Sequence, residues 1–595
     1  MNMKQKETYQ QSRWSLDELY SDGKSKKFMS DLKKLESLKD EFVASRSKLS
    51  PKMKMADFHQ MISMLQEMTE IGSRLSGFSF LRFAENTMNA DAMALVGQIQ
   101  AKLALITNET LFFSLWWKSL SDIEAAPFYK ATPDYQYFLQ EIRNTKPFTL
   151  TEDAEQIINL KNISGSEALT TLYDAITNRY QFFLMVDGKK QTLTRGELMK
   201  HVKSEKPAMR KKAYQELYRV YGNDSAILGQ IYQTIARDWH LENINLRKYP
   251  TPISVRNRIN DIPDEVVDLL LDTSVKNREV FQRYFKVKKD LLGLKTFNRY
   301  DIYAPLKESE KKYSFSQAYE MVYNAFNEFD PEFAKMARQV FAENHVDSEI
   351  RPGKQGGAFC STLGPKHTPW VLLNYNGNIG DVSTMAHELG HAIHSLSANQ
   401  HHIFHQGSCL PLAETASTFG EMLLTDSILR ENPGEDLKLQ ILMEQMDDNY
   451  ATIQRQAYFA LFEKQAHEMI PQGVGMDDLN QAYLENLQDQ FGDAVHVNEE
   501  FRLEWICIPH IFHTPFYVYA YAFGQLLVLS LYKRYKNEGK SFIPQYKKIL
   551  AAGGSKAPET VLSDAGINFR DAAFWQGGFD ILNENLSEIE RICKK

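Results

Sequence analysis

His387-Glu388-Leu389-Gly390-His391 puts two imidazoles and a carboxylate within five residues. On a helix, residues i and i+4 share a face, so His387 and His391 can both reach one metal ion while Glu388 projects beside them. That set suits metal-assisted hydrolysis, in which a bound cation makes water nucleophilic and a carboxylate moves its proton. With 15 His and 76 Asp+Glu in 595 residues, about 0.02–0.03 accidental matches are expected per chain. The opposing reading, two packed or surface histidines flanking a glutamate by accident, leaves a buried Glu388 in need of a partner for its charge.

A catalytic zinc usually takes three protein ligands and keeps a fourth position for water. A histidine pattern continued along the same helix would need Gly at 394 and His at 397, where this chain has His394 and Ser397. His394 shares the helical face, but its Cα falls about 10 Å along the axis from that of His387, too far for three imidazoles around one ion. It is read as a residue that supports the ligands from behind, faces substrate or simply packs. Glu414, in Leu412-Ala413-Glu414-Thr415-Ala416-Ser417-Thr418-Phe419-Gly420-Glu421, is the better candidate and would complete a His2Glu set. From spacing alone it can equally be a solvated glutamate at a helix start.

These residues need elements to hold them. Apolar Met385, Ala386, Leu389, Ala392, Ile393 and Leu396 predict a buried helix through the histidines, with Asp381 or Ser383 as its N-cap. Leu412 to Glu421 is expected to form a second helix, which would put Glu421, two turns after Glu414, on the same face. Zinc imidazoles pass their second N–H to an acceptor, and Asp381 and Glu421 are the candidates, although either can simply cap or decorate its helix. Arg299-Tyr300-Asp301-Ile302-Tyr303 and Trp370-Val371-Leu372-Leu373-Asn374-Tyr375 read as short extended runs. Between them lies the Gly-rich 352–359 segment. With Gly357 and Ala358 it is either a substrate edge that pairs with an extended peptide or a simple mobile loop.

Trp370 to Tyr375, Asp381-Val382, the Met385 to His391 run, Leu412 to Glu421, Ile508-Pro509-His510 with Phe516-Tyr517-Val518-Tyr519-Ala520-Tyr521, and Ala552-Gly553-Gly554-Ser555 together resemble oligoendopeptidase F, within the thimet oligopeptidase family of zinc metallopeptidases. The resemblance covers most of residues 205 to 585, and the N-terminal third matches in its helical character and its opening Trp14-Ser15-Leu16-Asp17. It implies one Zn2+ per chain held by His387, His391 and Glu414, with Glu388 as general base. His510 and a tyrosine, Tyr517 with Tyr519 and Tyr521 as alternatives, would donate to the oxyanion. It also implies a mainly α fold of two helical lobes enclosing a channel, with a small β-sheet beside the zinc helix, acting on short unstructured peptides. An exopeptidase, an inactive peptide-binding protein and a closed structural zinc site, with His394 or His510 as fourth ligand, are the competing readings.

Composition agrees with such an enzyme. A chain of 595 residues exceeds what one core organises, and we expect a helical N-terminal region over 1–204, with a β-element near its end at Phe182 to Thr194, followed by a catalytic region over 205–595. Long amphipathic helices are expected over 28–120, and a helix start at Pro263. The net charge of −7 with interspersed signs presents no basic face for nucleic acid. Trp505 to Tyr532 lacks charged residues, but Pro509, His510, His513, Pro515 and Gly524 interrupt it, so it is read as a buried element and no membrane partner is expected. Four scattered cysteines without CxxC spacing, and a polar start, predict a cytoplasmic protein. Nothing in the sequence sets an oligomeric state.

Overall fold

Helix-forming stretches with apolar residues every three or four positions dominate the chain, and 71% of the described residues are helical, with few short strands. The computed structural model describes residues 9–306 and 311–594. Cα packing divides the chain into two units, each built from three stretches: Met1–Lys146, Lys311–Glu431 and Arg534–Ile567 in the first, Pro147–Glu310, Asn432–Lys533 and Asn568–Lys595 in the second. Both units draw on residues from either side of the 204/205 position.

In the first unit, α1 (Lys26–Ala44) is capped by the Ser25 hydroxyl, and α2 (Met55–Glu85) runs for 31 residues. The spacing of Phe58, Met61, Ile62, Met68, Ile71, Leu75 and Phe78 turns one stripe of α2 inward. That stripe joins a core with Trp117, Leu363, Trp370 and Leu372, each such burial contributing roughly 1.5–3 kcal/mol. The core therefore ties the N-terminal helices directly to the sheet. α3 (Pro331–Ala342) starts on a proline with Asp330 as its cap, suiting the fixed proline φ and the missing N–H.

The sheet has strands β1 (Val346–Asp347), β2 (Phe359–Ser361) and β3 (Trp370–Leu372), in spatial order β1-β3-β2. β1 pairs with β3 in parallel, Val346 opposite Val371, and β2 pairs with β3 antiparallel, Cys360 opposite Val371. β2 is thus an edge strand. Two helices follow, α4 (Ile379–Ser397) and α5 (Ser417–Arg430); α4 packs on β2, β3 and, most extensively, α5.

In the second unit, Phe182–Val186 and Lys189–Leu193 form the expected hairpin, Phe182 opposite Leu193. Asp187 and Gly188 at its tip both have positive φ, 48° and 77°, the primed turn that matches strand twist. The helix Asp264–Lys276 starts after Pro263, as predicted. Arg299–Asp301, read from sequence as extended, is instead a 3-10 turn. The Asp301 carboxylate accepts the Asn298 N–H and pairs with buried Arg210 at 2.6 Å, and those local bonds outcompete strand pairing. No helix among the described residues is long and apolar enough to cross a membrane.

Candidate metal centre

α4 starts earlier than expected. Asn378, not Asp381 or Ser383, is its N-cap: the Asn378 side chain accepts the Asp381 N–H at 2.8 Å, and Asp381 Oδ2 accepts the N–H groups of Asn378 (3.1 Å) and Asn376 (2.8 Å). Asp381 is the third helical residue of a capping box, and its carboxylate is engaged by backbone at the helix start. Gly377 supplies the left-handed turn just before (φ +89°), where a Cβ would meet the Tyr313 carbonyl at 3.2 Å.

The segment carrying Glu414 departs further from expectation. Leu412 to Glu421 is not one helix; a short turn Leu410–Ala413 ends at Glu414, and α5 begins only at Ser417. The break is a tertiary effect. Thr415 caps Leu412 through its hydroxyl (2.7 Å) while its carbonyl accepts the Tyr546 hydroxyl (2.8 Å), and the Ala416–Ser417 backbone lies directly against Gly390 of α4. A Cβ at Gly390 would stand 2.4 Å from the Ala416 oxygen and 2.5 Å from the Ser417 Cα. At Gly420 it would stand 3.0 Å from the Ala386 oxygen. Two glycines therefore let backbone meet backbone, and the break aims the Glu414 side chain at α4.

Three ligand-capable side chains converge there. The Nε2 atoms of His387 and His391 lie 3.4 and 3.3 Å from Glu414 Oε2, and ligand atoms of all three residues fall within 4.8 Å of one another. Zinc–ligand bonds of about 2.0–2.2 Å give a tetrahedron with edges near 3.3–3.6 Å, so the two nitrogen–oxygen edges match those of a tetrahedral divalent ion. The other nitrogen of His387, Nδ1, meets Glu421 Oε1 at 2.5 Å, and Glu421 Oε2 accepts the Ser383 hydroxyl at 3.1 Å. In the neutral ring this keeps the proton on Nδ1 and leaves Nε2 to ligate, a bound cation displacing any second proton. The Ser417 hydroxyl holds Glu414 Oε2 at 2.5 Å. Ser383, expected from sequence only as a helix cap, instead supports Glu421, and Ser417 has no expectation attached to it; a hydroxyl three or four residues from a candidate ligand is the signal that points to both.

The electrostatics follow from packing three carboxylates and two imidazoles into a half-buried site. Burial works against a charge on His387, but the Glu421 hydrogen bond and the Glu414 and Glu388 charges push its pKa up to about 9. Burial and the neighbouring Glu414 and Glu421 push Glu388 up to about 7, against the pull of His387. Burial lowers His391, and it lowers His394 to about 4, so that ring is neutral. Burial alone would raise Glu414, but His391, His387 and Ser417 outweigh it and hold the carboxyl below its usual range.

A cleft of about 410 Å³ is lined by His387, Glu388, His391 and His394 of α4 and by Ala358 with Phe359 and Cys360 at the start of β2. Gly357 sits just outside with φ +79°, its carbonyl accepting the Asn374 amide at 2.7 Å. An edge strand beside the two histidines has the geometry to pair with an extended peptide.

In the second unit, His510, Tyr517 and Tyr521 form their own group. The Tyr521 hydroxyl is 3.5 Å from His510 Nε2, and the Tyr517 ring lies 6.3 Å from His510 and 5.3 Å from Tyr521. Tyr519 stands apart. It is fully buried, with its hydroxyl accepting the Asn260 amide at 2.8 Å.

Comparison with known proteins places the chain in a family. The model of peptidase family M3 matches residues 199–581, and one described as Oligopeptidase F matches residues 117–182. Oligopeptidase PepF of Bacillus subtilis is 28% identical over 470 residues, 78% of this chain and 69% of the relative. An oligoendopeptidase F homologue of Borreliella burgdorferi is 28% identical over 544 residues, 90% of this chain and 91% of the relative. The crystal structure of a Chlamydophila abortus protein superimposes with a TM-score of 0.86 at 25% identity, covering 98% of both chains.

Proposed function

This chain belongs to peptidase family M3 as a metallo-endopeptidase, and from that premise we propose that it is zinc-dependent and hydrolyses internal bonds of short, unstructured oligopeptides. The observation that carries the proposal is the convergence of His387 Nε2 and His391 Nε2 on Glu414 Oε2 at tetrahedral-edge distances, beside a desolvated Glu388. His387, His391 and Glu414 would hold the ion, and 205–595 is the proposed catalytic region. When bound, zinc supplies Lewis acidity and brings the pKa of water from about 16 to near 7. Glu388, a buried carboxylate next to both histidines, is placed to accept a proton from the attacking water and hand it to the departing amine. Glu421 and Ser383 keep the His387 ring turned toward the site, and the β2 edge with Gly357 and Ala358 aligns the peptide backbone.

His510 and Tyr517 are proposed to donate hydrogen bonds to the carbonyl oxygen as charge develops on it. This rests on the resemblance of the 508–521 segment, and Tyr517 is preferred over Tyr519 because the Tyr519 hydroxyl is buried against Asn260. The names of the relatives, oligopeptidase and oligoendopeptidase, support short peptides as substrates, and four scattered cysteines without CxxC spacing fit a reducing, cytoplasmic compartment. The test is hydrolysis of an internally quenched peptide blocked at both termini, before and after chelation and with zinc restored. Internal cuts lost on chelation and regained with zinc are expected; trimming of free-ended peptides alone would replace this reading with an exopeptidase.

A further inference from the structure

Away from the His387 cluster, and sharing no residue with it, Glu18, Glu343 and His345 bring ligand atoms within 4.8 Å of one another. His345 sits at the entry to β1, 2% exposed, with its ring stacked on Trp370 at 4.0 Å. Its Nδ1 lies 3.0 Å from the Thr368 carbonyl oxygen. A carbonyl only accepts, so Nδ1 carries the proton and a neutral ring turns the lone pair of Nε2 outward. What Nε2 meets is another acceptor, Glu18 Oε2 at 3.6 Å. Glu18 is held in place from its other side, where Oε1 takes the His367 Nδ1 proton at 2.8 Å.

We propose that Glu18, Glu343 and His345 form a second divalent-cation site, of the zinc class, that clamps the N-terminal segment onto the β-sheet. One imidazole nitrogen and two carboxylates suit zinc or manganese, and the two negative charges are neutralised by one divalent ion. The Thr368 carbonyl and His367 are the outer partners that orient the imidazole and a carboxylate. Both glutamate side chains are exposed enough to close on the ion by rotamer changes, while the buried imidazole stays fixed. The backbone already brackets this position: the Ser15 N–H donates to the Asn344 carbonyl (2.8 Å), and Trp370 Nε1 donates to the Ser15 carbonyl (2.9 Å). Asn344, between Glu343 and His345, turns the chain in the left-handed region, φ 57°. A metal here joins residues 15–20, the end of α3 and the start of β1.

The test is metal analysis of the full-length protein after saturation with zinc and removal of the excess, together with amide hydrogen exchange. The wild type is expected to retain two zinc ions per chain. The Glu18→Gln/Glu343→Gln double variant should retain one and still cut the blocked peptide, and His387→Ala should retain one and not cut it. Zinc should slow exchange at residues 15–20 in the wild type and in His387→Ala, but not in the double variant. A wild type that saturates at one zinc, or a double variant that keeps two, overturns the proposal. Both substituted glutamates are exposed and isosteric with glutamine, and the wild-type stoichiometry decides the matter on its own even if a variant misfolds.

Discussion

Gly390 sits inside the five-residue metal motif, and replacing it with alanine perturbs the site without touching a ligand. Its added methyl would lie 2.4 Å from the Ala416 carbonyl oxygen and 2.5 Å from the Ser417 Cα. Both are backbone atoms, so no rotamer relieves the clash. Reaching about 3.3 Å, the short end of tolerated C–H···O contacts, requires the Ala416–Ser417 backbone to retreat by about 0.9 Å. Glu414 is two residues upstream and would move with it. Metal–ligand distances tolerate only about 0.2 Å, so the carboxylate would no longer close a tetrahedron on the two Nε2 atoms. Overpacking of this kind costs about 1–3 kcal/mol. Gly390→Ala is therefore expected to lower the unfolding temperature of metal-free protein and to weaken zinc binding by at least about tenfold, a loss near 1.4 kcal/mol or more. Chelator competition measures the affinity and thermal unfolding of apo protein the stability. Gly407→Ala is the control: it lines the same cleft, but its Cβ would meet nothing within 4 Å, so neither quantity should change. Wild-type zinc affinity and apo stability in Gly390→Ala would refute the close-packing account.

Glu388→Gln should retain zinc by metal analysis while kcat falls by about 10²–10⁴ or more, the worth of a positioned general base; full activity would remove Glu388 from that role. Glu421→Gln leaves His387 Nδ1 facing a neutral group, and zinc affinity should drop about 10–100-fold in the same competition assay. Tyr517→Phe is expected to lower kcat by about 10²-fold or more with little change in stability, whereas Tyr519→Phe loses the Asn260 hydrogen bond, worth about 1 kcal/mol of stability, and should keep its kcat. Glu463 is fully buried, and desolvation pushes its pKa up to about 8 although it accepts the Phe516 N–H at 2.9 Å. Its folded pKa lies above the unfolded value near 4.3, so its contribution to stability is complete at low pH and is lost as pH rises toward 8. Glu463→Gln should flatten that decline, and unfolding temperatures of variant and wild type compared at pH 5 and pH 8 will show whether the gap between them shifts in the variant's favour.

What the chain discloses by itself is what depends on near neighbours in sequence. The His387/His391 pair was legible because i,i+4 spacing on a helix is local geometry, and the 182–193 hairpin because Asp-Gly between apolar runs has a mechanism. The start of α4 is less legible: Asp and Ser are good caps, but Asn378 follows a left-handed glycine that only Asn378 is placed to use. The break at Glu414 left no trace in its own segment, since 412–421 contains no proline and its one glycine is at Gly420. Its cause lies in Gly390 and Tyr546, far off in the chain. Arg299 to Tyr303 alternates like a strand, yet buried Arg210, 91 positions away from Asp301, takes the carboxylate. Glu18 and His345 are separated by more than three hundred positions, so their meeting follows from topology rather than from any motif.

The most direct measurement is anomalous diffraction at the zinc edge from crystals of the zinc-loaded protein. The account predicts an ion bonded at about 2.0–2.2 Å to His387 Nε2, His391 Nε2 and the Glu414 carboxylate, with the remaining position open to solvent. A fourth protein ligand closing that position, or no ion among these three residues, would contradict it.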